Sequence, residues 1–223
     1  MAKKTKEQEV RQQNVAEAVS KTDQFFKENS KLIYGCVIAV LVVALAILAY
    51  NRFYLVPKKA EAQRETFHAE QWFAAGEYEM ALSGDDNYLG FEDIISTYGS
   101  KAGAAVYLYA GEAYLQTGRY EEAIKALKKY SGKDRILAAR AQGCIGDAYV
   151  GLEDYSTAIS WFKKAAATSD DMFSALYLKK AGLAYEETGN AAAALACYKE
   201  IKDKYPSSYE ASDIDKYITR ISK

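Results

Sequence analysis

The sequence contains an uninterrupted apolar stretch near its amino-terminal end. No charged residue occurs between Lys31 and Arg52, and eleven of the 19 residues from Leu32 to Tyr50 are Leu, Ile or Val. As an α-helix these residues would rise about 28 Å, close to the thickness of the hydrocarbon core of a bilayer. A helix of a globular domain seldom stays apolar on every face for about five turns, so the stretch predicts a transmembrane helix over residues 32–51.

Two processed forms are alternatives to a permanent membrane anchor. A cleaved signal peptide has an apolar core of about 7–15 residues close to the chain start, whereas here a long polar segment comes first. The tetrapeptide at residues 33–36 is similar to a bacterial lipobox, but Cys36 precedes most of the apolar stretch instead of following it. The sequence therefore favours a permanent span.

Residues 1–31 are predicted to form a basic, amphipathic tail. Apolar side chains recur at helical spacing between Val15 and Phe26. The tail also carries seven Lys or Arg residues, and basic residues next to a span favour the cytoplasmic side. We therefore expect the amino terminus inside the cell and the remainder of the chain outside it. The reverse orientation stays open, because basic residues also follow the span.

The chain beyond Pro57 contains a repeated pattern of glycine, tyrosine and alanine. Its leading glycines, Gly111, Gly146 and Gly182, lie 35 and 36 residues apart. Each is followed by a tyrosine three residues later and by an alanine twelve residues later. Alternating apolar and polar residues typical of strands are missing from this sequence. The pattern therefore predicts an all-α repeat array.

This pattern resembles the tetratricopeptide repeat, a helix-turn-helix unit of about 34 residues. The small glycine lets the two helices of a unit approach closely, and the tyrosine fills the space between units. Gly118 and Gly189 are expected to end the first helices in the left-handed conformation. A weaker unit surrounds Trp72 and Gly76, and residues 83–90 are expected to form an inserted loop after it.

The resulting fold prediction is a single transmembrane helix followed by an α-solenoid of about four helix pairs and a capping helix. The helix pairs extend over about residues 60–206, and the capping helix covers Ser212 to Ile221. The predicted domains are a basic tail at 1–31, the span at 32–51, a stalk at 52–68, and the repeat domain with its capping helix at 69–223.

The composition offers few side chains for catalysis or metal binding. The chain has a single histidine, His68, and three scattered cysteines, and no phosphate-binding glycine loop or nucleophile motif is present. Its 29 basic and 30 acidic residues give no overall field for nucleic acid. We therefore expect no enzyme activity, no cofactor, no metal, no small-molecule substrate and no nucleic-acid partner. His68 is expected to be a partly exposed helix residue.

An array of this kind offers a concave groove lined by the first helix of each pair. Because Leu and Val lie beside Glu and Asp at these positions, we expect the groove to receive an apolar protein segment with basic flanks. The alternative is that this surface only contacts solvent and binds no specific partner. The predicted groove residues are Leu108, Glu112, Leu115, Arg140, Asp147, Val150, Leu176, Lys179, Leu183 and Glu186.

The order of basic tail, single span, stalk and repeat array resembles the YfgM-like family of bacterial inner-membrane proteins. The resemblance implies a repeat domain on the periplasmic side and association with the SecYEG translocon and its membrane-anchored chaperone partners. It implies a scaffold or chaperone-like adaptor that handles exported proteins. The alternatives are an assembly factor of an envelope complex and a membrane-tethered receptor that faces the cytosol.

Overall fold

The computed structural model describes residues 17, 19–21 and 23–222. Two compact units make up the chain, Met1–Pro57 and Lys58–Lys223. Among the described residues every named element is helical, apart from an isolated antiparallel bridge between Gly84 and Leu89. The predicted all-α fold, with an apolar helix followed by helical repeats, is confirmed.

Eleven α-helices are numbered here in chain order from Ser30 through the described part of the chain. Their bounds are α1 Ser30–Tyr50, α2 Val56–Ala75, α3 Tyr78–Ser83, α4 Phe91–Tyr98, α5 Ala104–Gln116, α6 Tyr120–Leu127, α7 Arg135–Gly151, α8 Tyr155–Ser169, α9 Ser174–Glu187, α10 Ala191–Lys204 and α11 Ile214–Ile221. A π-helical turn covers Asn51–Leu55, and short 3-10 helices cover Gly99–Ala102 and Glu210–Ser212.

Helix α1 exposes its apolar side chains on every face. None of its 21 residues is buried, and Leu41 and Leu45 are 55% and 64% exposed. Apolar surface is unfavourable in water by about 25 cal/mol per Å². The helix is long and apolar enough to cross a membrane, and it contains most of the span predicted at 32–51.

Part of the predicted tail helix lies outside the described residues. Val15, Ala18 and Thr22 are among these positions. The tail residues Phe25 and Phe26 are helical and exposed.

The backbone changes its hydrogen-bonding pattern just before Pro57. The amide of Val56 donates to the carbonyl of Asn51, five residues earlier, in the π-helical turn. Pro57 itself lies in the first turn of α2, where its missing N–H costs little. Residues 58–68, expected to be part of a stalk, lie in the second compact unit, where Ala62 and Thr66 of α2 are buried.

Each of the three later helix pairs joins a glycine in its first helix to a large side chain sixteen residues further on. A Cβ atom added at any of these glycines would lie less than 3.0 Å from the side chain opposite. The large side chains are at most 2% exposed. The predicted close approach of the paired helices is confirmed for Gly111 with Leu127, Gly146 with Phe162, and Gly182 with Tyr198.

The three repeat tyrosines lie between successive units, as predicted. Tyr114 packs against two neighbouring hydrophobic clusters, one in the first repeat and one in the second. Tyr149 and Tyr185 likewise each pack against two neighbouring clusters further along the array. Gly118 and Gly189 adopt φ angles of +73° and +74°, which confirms their predicted left-handed conformation. In the unit between them, Glu153 takes the same place with φ +60°.

The first repeat, which begins with the helix pair α2 and α3, departs from this scheme after α3. Helix α3 has only six residues and includes Ser83, so the loop predicted at residues 83–90 begins one residue later, at Gly84. The Asp85 carboxylate accepts hydrogen bonds from the backbone N–H groups of Asn87 and Tyr88, at 2.8 and 2.7 Å, and these bonds close the loop. The Tyr88 ring stacks on His68 of α2, with 3.6 Å between the ring centroids. His68 is thus a half-buried packing residue.

Helix α11 covers the last helix pair. Its Ile214 is 1% exposed, and Tyr217, Ile218 and Ile221 pack against the same core. The helix begins at Ile214, and the preceding residues Glu210–Ser212 are 3-10 helical. The chain therefore closes the open end of its array with the predicted capping helix.

Candidate functional site

The first helices of the three later pairs, α5, α7 and α9, enclose a surface cavity of about 460 Å³. Five of the ten predicted groove residues line it: Glu112, Leu115, Arg140, Asp147 and Leu176. The other lining residues are Gln116, Ile136, Gly143, Cys144, Phe173, Tyr177 and Lys180. This cavity, called the α5–α7–α9 groove below, is the candidate site.

A bidentate ion pair links α5 to α7 in the groove. Arg140 donates from Nε to Glu112 Oε1 at 2.5 Å and from Nη2 to Glu112 Oε2 at 2.7 Å. The Glu112 side chain is 10% exposed, whereas that of Arg140 is 58% exposed. The hydrogen bonds to Glu112 raise the pKa of the Arg140 guanidinium above its usual value. The carboxylate is thus covered by a cation that stays charged.

A second ion pair links α7 to α9. Lys180 Nζ donates to both carboxylate oxygens of Asp147, at 2.8 and 2.7 Å. This pair also lines a neighbouring cavity of about 330 Å³, which contains the predicted groove residues Val150 and Leu183. The two cavities therefore share the Asp147–Lys180 pair as a common wall.

Lys179 and Glu186, also predicted in the groove, contact the capping helix segment instead. Lys179 Nζ donates to Asp213 Oδ1 at 3.0 Å. Glu186 accepts two hydrogen bonds from Arg220 Nη2, at 2.6 and 2.8 Å. Together with the two groove pairs, these contacts link α5 to α7, α7 to α9, and α9 to the capping segment.

Leu108 is a predicted groove residue that is buried in the core, away from the groove surface. Its side chain is buried beside Ala123, Ile124 and Leu127 of α6 and Ala141 of α7. The aligned positions in the next two units are Gly143 and Lys179. Leucine at this position reaches the core, whereas the glycine leaves room for the ring of Tyr177.

The sequence interpretation missed seven of the lining residues, among them three with apolar or charged side chains that shape the groove: Ile136, Phe173 and Lys180. Ile136 lies four residues before Arg140 and Phe173 three residues before Leu176, so helical spacing places each beside a predicted residue. Lys180 lies four residues after Leu176 and three before Leu183. A search for residues three or four positions from the predicted ones would have found all three.

Cys144 faces the groove but is a poor nucleophile there. Burial, followed by the nearby carboxylates of Glu112 and Asp147, raises the pKa of its thiol to about 12. Burial likewise raises the pKa of Cys197. Among the described residues no group of three His, Cys, Asp or Glu side chains could hold a metal ion. The chemistry of the groove is thus that of neutralised charge pairs and apolar side chains.

Comparison with family models agrees with this architecture. One tetratricopeptide repeat model matches residues 92–135 and 110–175, and a second matches residues 178–208. The chain is a tetratricopeptide repeat protein. Such repeats indicate a protein–protein interaction module, and neither model describes an enzyme family. No curated protein sequence matches the chain.

Proposed function

We propose that this tetratricopeptide repeat protein is a membrane-anchored interaction module that binds protein partners in the α5–α7–α9 groove. The observation that carries the proposal is the set of exposed apolar side chains around that cavity. Ile136, Phe173 and Leu176 are 45%, 47% and 38% exposed and line the same concave surface. Apolar side chains grouped around a cleft are typical of binding sites.

The anchor in this proposal is the apolar helix α1, which inserts residues 32–50 into a bilayer. A module held beside a membrane has a high effective concentration toward partners in or near that membrane. No residue of α1 is buried, and this supports the role, because burial against protein does not account for its apolar surface.

We further propose that the module is a scaffold or chaperone-like adaptor of protein export in the bacterial inner membrane. In this arrangement the amino terminus is cytoplasmic, the repeats are periplasmic, and the partners are translocon subunits, a membrane-anchored chaperone and exported proteins. The support is the resemblance to the YfgM-like family and the seven basic residues of the tail. Apolar side chains in the groove suit segments of proteins that have not yet folded.

Site-specific photocrosslinking in exporting cells tests the binding role. A photoreactive residue at Gln116, which is exposed and lines the groove, is compared with one at Ser160, which is exposed on α8 and lies outside both cavities. The proposal predicts crosslinks to exported chains from position 116 and none from position 160. One stable partner at position 116 would instead support an assembly factor. Crosslinks from position 160 alone would contradict the groove.

Thiol labelling tests the orientation. Ser160→Cys in a chain with Cys36, Cys144 and Cys197 replaced by alanine gives one exposed thiol. A membrane-impermeant maleimide is expected to label it in intact spheroplasts. Labelling only after lysis would contradict the periplasmic orientation and support a receptor that faces the cytosol.

A further inference from the structure

At the Glu112–Arg140 pair, the exposed charge is opposite in sign to the one that the sequence suggests. From the sequence alone, the acidic residues Glu112 and Asp147 predict that the groove binds a segment with basic flanks. In the structure both carboxylates already accept hydrogen bonds from Arg140 and Lys180. The Glu112 side chain is 10% exposed and the Arg140 side chain 58%, so a partner that enters the groove meets the guanidinium.

The Arg140 guanidinium has unused hydrogen-bonding capacity. A guanidinium carries five N–H groups, and its planar forks match a carboxylate. Glu112 occupies the side fork, formed by Nε and Nη2. Among the described residues, the structure gives Arg140 no other hydrogen-bond partner. The end fork, formed by one N–H of Nη1 and one of Nη2, is therefore free to receive a second carboxylate.

Apolar side chains line the same cavity as Arg140. Ile136 is four residues before Arg140 on α7, which places the two side chains side by side on one helix face. Phe173 and Leu176 line the same cavity from the start of α9. The surface thus offers a contact for apolar side chains adjacent to a donor pair for an acidic one.

We propose that the α5–α7–α9 groove selects protein segments in which an Asp or Glu accompanies apolar residues, with the acidic side chain bound at the end fork of Arg140. This inference rests on the proposed function, because it names the chemistry of the partner for the same groove. The apolar residues of the segment contact Ile136, Phe173 and Leu176. A segment with a basic flank is disfavoured, because its cation would lie beside the guanidinium.

Selection from a peptide library measures this preference on the full-length protein in lipid nanodiscs. Displayed random peptides are selected on the wild-type protein, and an enriched peptide is then synthesised in three forms with Glu, Gln or Lys at its acidic position. Fluorescence anisotropy gives the dissociation constant of each form. We expect enrichment of acidic residues beside apolar ones, and a Glu form that binds about tenfold more tightly than the Gln form.

A double variant isolates the guanidinium without leaving a buried carboxylate unpaired. Glu112→Gln with Arg140→Gln replaces the ion pair by two amides that can still bond each other. Its matched control is Glu186→Gln with Arg220→Gln, which removes a similar pair outside the groove cavity. The groove variant is expected to lose the difference between the Glu and Gln peptides, and the control variant to keep it.

Circular dichroism confirms that both double variants are folded before binding is measured. If the groove variant does not fold, Arg140→Lys is used, because lysine keeps the charge but lacks the planar fork. This variant is expected to reduce the tenfold preference.

The possible outcomes separate the two proposals. Peptides that bind the groove with equal affinity in all three forms, or best in the Lys form, would overturn the acidic preference and leave the groove as a binding site. Enriched peptides whose binding is unchanged by Phe173→Ser and Leu176→Ser would overturn the groove itself. A library that yields no enriched peptide would contradict both proposals.

Discussion

In the three later helix pairs, a glycine of the first helix faces a large buried side chain sixteen residues further on. The first pair differs, because it has Ala69 at the glycine position and Asp85, which lies in a loop, at the facing position. The large buried side chains of the first unit come instead from Leu82 of α3 and from Phe91 and Ile94 of α4. A glycine in the first helix is thus needed only where the second helix is long enough to place a large side chain against it.

The first prediction removes the large partner from one of the regular pairs. Phe162→Ala is expected to lower the free energy of unfolding by about 3–5 kcal/mol, because the ring is fully buried against Gly146 and cannot be replaced by a neighbour. Denaturant unfolding of the detergent-solubilised protein, followed by circular dichroism, measures the loss. Leu183→Ala, at an exposed position, is the control. A loss below about 1 kcal/mol for Phe162→Ala would refute the packing rule.

The second prediction breaks a contact between successive units. Arg140→Ala is expected to cost about 1–3 kcal/mol, because it leaves the carboxylate of Glu112 largely buried without its partner. The double variant Glu112→Gln with Arg140→Gln is expected to cost less than Arg140→Ala alone. The same denaturation assay measures both. Equal losses would show that the burial of an unpaired charge is not the cause.

The third prediction tests the glycine directly. In most helices Gly→Ala is stabilising by about 1 kcal/mol. Gly146→Ala is instead expected to lower the free energy of unfolding by about 1 kcal/mol, because the added methyl group overlaps the buried Phe162 ring. Gly35→Ala, where a Cβ atom meets no neighbour, is the matched control for the expression and solubility of the protein. A stabilised Gly146→Ala protein would contradict the close approach of the paired helices.

The fourth prediction concerns Glu153, a non-glycine residue with positive φ just after a first helix of the regular pairs. Glu153 has φ +60°, where the equivalent residues are Gly118 and Gly189. Glu153→Gly is expected to raise the midpoint of thermal unfolding slightly, by a gain of about 0.5 kcal/mol, since relief of backbone strain outweighs the entropy of glycine. Gly118→Ala is expected to have the opposite effect. A destabilised Glu153→Gly protein would show that the Glu153 side chain makes a stabilising contact.

The repeat positions could be predicted from the sequence because their spacing reflects one helix pair at a time. Glycine, tyrosine and alanine recur at fixed offsets, and each offset corresponds to a contact within a unit or with the next one. The inserted loop at residues 83–90 was predictable for the same reason, since it interrupts the spacing.

The partners of the groove charges could not be predicted in this way. Glu112 and Arg140 are 28 residues apart, whereas Asp147 and Lys180 are 33 apart, so no fixed offset joins them. These pairs depend on how neighbouring first helices cross, which periodicity within a helix does not specify. Leu108 was misplaced for a related reason, because the depth that its side chain reaches depends on the neighbouring helices.

The most direct test of the central claim, a repeat module held at a bilayer by its apolar helix, is extraction of cell membranes with alkaline carbonate. The intact chain is expected to remain in the membrane pellet and to enter solution only with detergent. A variant lacking residues 30–50 is expected in the aqueous fraction. Recovery of the intact chain in the aqueous fraction without detergent would contradict the membrane anchor and every proposal that depends on it.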